Sequence, residues 1–182
     1  MAVEEIEQLA EAFLAAVPGY IWDGRTLPVP VEEIADSYAG LLVRDVEDLR
    51  AAPGAPALEP GQTLSGLLLP AVGEIWVNAE EARIWPPRRR FTIAHELGHW
   101  RLHRGVERGV FCRSGSVEDG PSAQRAPLPP AEEEANGFAA ALLMPARLLR
   151  EQYRLCGGDF PRLCKLFGAS GAAMGRRLHA VI

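Results

Sequence analysis

Apolar residues recur at helical spacing from the first turn. Ile6, Leu9, Ala10, Phe13, Leu14 and Val17 share one face until Pro18-Gly19 breaks the pattern, which predicts a helix over 3–17. "PVEEIADSY" (30–38) reads as a second, shorter helix with Pro30 near its first turn, and "LLVRDV" (41–46) reads as a strand. The Pro/Gly-rich "APGAPALEPG" (52–61) is a loop, after which two apolar runs flank Pro70 to Gly73 in "SGLLLPAVGEIWVNA", the pattern of a hairpin ending near Asn78. Helical periodicity returns over 88–103, and again over 131–144, 146–154, 159–167 and 170–181, with Pro145 separating two of these segments. Between them, residues 104–130 carry Gly, Ser, Pro and charge without periodicity, the composition of a long mobile or functional loop.

The elements add up to an α+β domain, mainly helical, with a small antiparallel three-stranded sheet beside the helix at 88–103. Its expected parts are N-terminal helices and sheet (1–87), that central helix (88–103), the loop (104–130) and C-terminal helices (131–182). A length of 182 residues suits one domain, and 48% hydrophobic residues are enough for a sizeable core. The balance of 19 basic against 24 acidic residues gives −5 overall, so nucleic acid is not an expected partner. The acidic start lacks the order of a secretory signal, and the longest apolar run, "FAAALLMP", is far too short to span a bilayer. Cys112, Cys156 and Cys164 form no C-x-x-C pair and read as free thiols, so the expected compartment is the cytoplasm.

One segment changes the picture. "FTIAHELGHWRLH" (91–103) holds three of the four histidines in the chain. His95 and His99 lie four apart, so a helix stacks them about 6 Å apart on one face, where two imidazoles can bind one zinc ion. Glu96 follows directly, placed to act as general base on a water that zinc activates. The rival reading is an amphipathic helix that buries Ile93, Ala94, Leu97 and Trp100 and leaves the histidines on the surface. Gly98, costly inside a helix, marks a close backbone approach by a neighbouring element. His103 lies eight residues past His95, about 12 Å along the axis, which zinc bonds near 2 Å cannot span. It is instead an outer partner of a ligand, a substrate contact or a cap at the helix end.

A three-ligand site then needs a donor from elsewhere, and "AEEEANGFAAALLMP" offers three glutamates. Glu132 shares a side with Ala135, Asn136, Ala139 and Leu143 and is the carboxylate that leans inward. Glu133 and Glu134 are accounted for by the helix dipole. Asn136, one turn on, can hydrogen-bond a metal ligand.

"RRRFTIAHELGHWRLH" followed by "EEEANGFAAALLMP" resembles the ImmA/IrrE family of zinc metallo-endopeptidases. The resemblance extends over "LPVPVEEIADSYAGLLV", "SGLLLP", "EIWVN" and the tail "LCKLFGASGAAMGRRLHAV", from about residue 28 onward. It implies a zincin-like fold, one catalytic Zn2+ held by His95, His99 and Glu132, and Glu96 as general base. It also implies a protein substrate, a helix-turn-helix repressor whose cleavage releases stress-response or mobile-element genes. His103, Arg90 and Tyr153 are candidates for stabilising the oxyanion, and "EIWVN" (74–78) is either an edge that holds substrate as an added strand or a core strand. The alternative function is a non-catalytic anti-repressor, or a toxin-like regulator, in which zinc is structural.

Overall fold

The computed structural model describes residues 1–55, 57, 63–103, 111–114 and 128–182. Helix α1 (Val3–Ala15) buries Ile6, Ala10, Phe13 and Leu14, four positions at the spacing seen in the sequence. A short turn, α2 (Val31–Glu33), passes into a π-helical turn over Ile34–Tyr38, where Ala39 N–H reaches back to the Ile34 carbonyl. Strand β1 (Leu42–Val46) follows, then β2 (Thr63–Leu69) and β3 (Glu74–Asn78), joined by the expected hairpin.

The sheet differs from the expectation of three antiparallel strands. Its order is β1-β3-β2-β4, with β4 (Phe111–Ser114) on one edge. β1 runs parallel to β3, whereas β2 is antiparallel to both its neighbours. β4 lies inside the stretch read as a loop, and the rest of that stretch, 104–110 and 115–127, lies outside the described residues. "EIWVN" is β3 and has a hydrogen-bonded strand on each side, so it is a core strand and offers no edge to a substrate.

The sheet packs one face onto the main core. Leu68, Ile75 and Val77 are buried there with Ile93, Leu97 and Phe138. On the other face Leu67, Leu69 and Trp76 gather over Ala52, beside the 3-10 turn at Leu49–Ala51. Ser65 is the extra residue where the β2–β4 register shifts, and its hydroxyl accepts from the Arg88 guanidinium at 3.2 Å.

Asn78 closes β3 and caps the next helix, α3 (Ala79–Ile84), by accepting from the amides of Glu80 and Glu81. The sequence reading omits α3, although Asn78 followed three positions later by Glu81 is a capping signal. Helix α4 (Pro86–Leu102) starts on two prolines whose missing N–H groups cost nothing in a first turn. Every residue from Thr92 to His99 is buried, so α4 runs through the middle of the domain. Helix α5 (Pro130–Leu143) lies against it and against α1, where Phe13 and Phe138 meet edge to face at 5.8 Å. Helices α6 (Ala146–Leu155), α7 (Phe160–Phe167) and α8 (Gly171–Val181) close the core with Leu149, Leu163, Phe167 and Met174. Arg177 of α8 ties the ends of the chain together, donating to both carboxylate oxygens of Glu7 and to the Met144 carbonyl. No helix among the described residues is long and apolar enough to cross a membrane.

Candidate metal centre

The position of the centre follows from one glycine. A Cβ at Gly98 would sit 3.1 Å from both the Cα and the carbonyl oxygen of Ala135. Only a hydrogen at that point lets the backbones of α4 and α5 approach as they do, which is the close approach read from the sequence. That approach carries Glu132, one turn before Ala135, up to the histidines. His95 Nε2 lies 3.2 Å from Glu132 Oε2, and His99 Nε2 lies 3.3 Å from Glu132 Oε1. The two Nε2 atoms are 2.9 Å apart, aimed at the same small space.

The histidines are not surface residues. His95 and His99 are each 1% exposed, and Glu96 between them is fully buried, so the reading as a helix with solvated histidines fails. The three donors, His95, His99 and Glu132, form the one group of at least three acidic, histidine or cysteine side chains with metal-binding geometry among the described residues. Two imidazole nitrogens and one carboxylate form a donor set that suits a divalent ion with an open position.

The outward ring nitrogens are occupied as such a site requires. His95 Nδ1 lies 3.0 Å from Asn136 Oδ1, an acceptor for its N–H, and an ion at the centre would then take the Nε2 lone pair. His99 Nδ1 lies 3.1 Å from His103 Nδ1, and His103 Nε2 in turn is 2.9 Å from Glu134 Oε2. His103 is the C-cap residue of α4, not a ligand, in keeping with the limit set by helical rise. Glu134 is where the sequence reading falls short. The helix dipole accounts for it in sequence terms, and no local pattern connects it to a histidine 31 positions earlier.

Charge at the centre is finely poised. Burial works against ionisation of Glu132, but hydrogen bonds from His95 and His99 overcome it and hold its pKa down at about 2. Burial also works against a charge on His95, yet Glu132 and Glu96 together with Asn136 lift its pKa above the ordinary imidazole value. For His99 burial wins over Glu132, with the neighbouring His95 and His103 adding to the downward shift. A neutral His99 and an ionised Glu132 are the forms that ligate metal.

Glu96 faces the sheet. A Cβ at Gly66 of β2 would lie 3.4 Å from Glu96 Oε1 and 2.2 Å from the Thr92 methyl, so Gly66 keeps open the space where β2 crosses α4. Arg90 and Tyr153 do not meet the centre in the contacts they make. The Arg90 guanidinium donates to the Val29 carbonyl at 2.7 Å and packs beside Gly168, and the Tyr153 phenol lies over Gly158. These contacts brace the loops at Val29 and Gly158.

Comparison with known proteins agrees with this geometry. No curated protein sequence matches the chain. Among solved structures, a Mycobacterium tuberculosis transcriptional regulator is similar over 96% of this chain, at 19% identity and a TM-score of 0.57. That likeness concerns the fold, and this chain spans 46% of the regulator's length. The model of a peptidase family, described as the IrrE N-terminal-like domain, matches residues 73–179. The matched stretch runs from the hairpin to α8 and contains all three donors, Glu96 and the Gly98 contact. With more than half of its length matched, and with the ligand set in place, the chain belongs to the IrrE N-terminal-like domain family.

Proposed function

We propose that this chain is a zinc-dependent endopeptidase whose substrate is a helix-turn-helix transcriptional repressor, cut in the cytoplasm. The observation that carries the reading is the convergence of His95, His99 and Glu132 on one point, with the buried Glu96 on the same helix turn. Bound zinc supplies Lewis acidity, bringing the pKa of water near 7 and polarising a carbonyl. Glu96 accepts the proton of the attacking water and passes it to the leaving amine. Its full burial keeps bulk water from competing for that proton. Asn136 and His103 meet the outward nitrogens of the two imidazoles and so orient the rings toward the centre.

The substrate class rests on the resemblance to the ImmA/IrrE peptidases and is supported by the similar M. tuberculosis structure being that of a transcriptional regulator. The test is to incubate the chain with a repressor encoded beside its gene, with zinc or with chelator. Cleavage products that need zinc, and that Glu96→Gln abolishes while retaining zinc, support the proposal. Cleavage by Glu96→Gln at the wild-type rate refutes the general-base role. Loss of DNA binding by an uncut repressor indicates a stoichiometric anti-repressor instead.

A further inference from the structure

We propose that His103 and Glu134 form a positioning pair that fixes the tautomer of His99 and thereby sets how tightly the centre holds its ion. The inference rests on His95, His99 and Glu132 being metal ligands, but not on peptidase activity.

The protons are ordered along the hydrogen-bonded chain from Glu134 inward. Glu134 lies beside His103 with its carboxylate oxygen 2.9 Å from Nε2. An ionised carboxylate only accepts, so His103 Nε2 carries a hydrogen and donates it. With Nε2 so engaged, His103 presents Nδ1 to His99 Nδ1 at 3.1 Å, where it can accept a hydrogen bond. A hydrogen on His99 Nδ1, donated to that nitrogen, leaves the His99 lone pair on Nε2, the atom 3.3 Å from Glu132, for an ion to take. Each bond dictates the next, and the polarity of the chain is fixed at its far end by Glu134. Without that carboxylate, His103 is free to donate from Nδ1 instead, and His99 is then driven to the tautomer that blocks its inward nitrogen.

The surroundings support a built device. His103 and Glu134 side chains are only 14% and 18% exposed, and the His99 side chain is 0% exposed. The other oxygen of Glu134 is engaged by the Met1 ammonium, which holds the carboxylate in place. His103 sits where α4 ends, so its ring can turn back along the axis toward His99. The two ligand histidines are thus supported unequally. His95 leans on the neutral amide of Asn136, whereas His99 leans through a second imidazole on a full negative charge.

The test is equilibrium zinc competition against a chromophoric chelator at neutral pH, on the full chain. His103→Phe and Glu134→Ala are expected to weaken zinc binding about 10–100-fold, the usual effect of losing an outer partner of a ligand. Glu134→Gln should weaken it less, since the amide oxygen still accepts from His103. Glu133→Ala, on the exposed neighbour, should leave affinity unchanged. In the zinc-loaded protein the His99 Nδ1 proton should give a downfield NMR signal that His103→Phe abolishes, a signature that a merely structural role would not move. If His103→Phe does not fold, the Glu134 variants carry the test. The proposal is overturned if His103→Phe and Glu134→Ala, with native circular dichroism, bind zinc within about twofold of wild type while Glu132→Ala does not. Wild-type protein that binds no zinc overturns the metal centre itself, whereas wild-type protein that binds zinc but cuts nothing leaves this inference standing and removes only the peptidase reading.

Discussion

Replacing Gly98 with alanine sets two effects of similar size against each other. Inside a helix, alanine is more stable than glycine by about 1 kcal/mol. Against this, the new methyl group would sit 3.1 Å from the Cα and carbonyl oxygen of Ala135. These are backbone atoms of α5, so no side-chain rotation relieves the contact. Overpacking of this kind costs about 1–3 kcal/mol. The net expectation is a loss of about 0–2 kcal/mol, a modest fall in stability. The effect on the centre is larger in relative terms. α5 has to move away by a few tenths of an ångström, and Glu132 moves with it. A third ligand drawn out of place weakens the centre, so zinc affinity should fall by about tenfold, the lower end of what losing an outer partner of a ligand costs. Urea unfolding of the metal-free protein and zinc competition measure the two quantities separately. A Gly98→Ala protein that is more stable by the full helix term and binds zinc as tightly as wild type would refute the argument that this contact places the third ligand.

Other expectations follow from the packing and the charges. Gly66→Ala should destabilise by about 1–3 kcal/mol, since its methyl would lie 2.2 Å from the Thr92 methyl, and Thr92→Ser in the same chain should recover most of the loss; thermal melts of the three variants check this. Arg177→Ala should cost about 2–4 kcal/mol, because it strips both carboxylate oxygens of Glu7 and the Met144 carbonyl of their donor, and a chemical denaturation midpoint within error of wild type would contradict it. The folded pKa of Glu132, about 2, lies below its unfolded value, so the unfolded chain binds the proton first. Its stabilising contribution in the metal-free protein is therefore complete above about pH 4.5 and is lost as pH falls toward 2, and Glu132→Gln should flatten that limb of the stability profile.

Much of the centre was legible in the sequence because helices turn spacing directly into geometry. The four-residue step from His95 to His99 sets two imidazoles on one face whatever surrounds them. The same rise excludes His103, and periodicity in α5 singles out Glu132 among three glutamates. Gly98 announced a close approach because nothing else justifies a glycine there. What escaped depends on contacts between distant parts of the chain. The parallel pairing of β1 with β3 is a choice of neighbour, and no local pattern in "LLVRDV" encodes it. β4 lies in a stretch whose composition reads as loop, and pairing with β2 gives it its form. Arg90 and Tyr153 were singled out for their chemistry, yet a side chain's direction is set by packing, and theirs is toward Val29 and Gly158. Glu134 illustrates the same limit, since its partner comes from another helix.

The division of the ligands between α4 and α5 has a consequence for the entropy of binding. His95 and His99 are held in the buried stretch Thr92–His99, with both rings already met at Nδ1. Their conformational freedom is lost when the chain folds, long before an ion arrives. Glu132 stands in the first turn of its helix, and its side chain is 20% exposed. The Glu132 carboxylate already lies against both imidazoles, so a divalent ion would meet a site in which most of the ordering has been done by the fold.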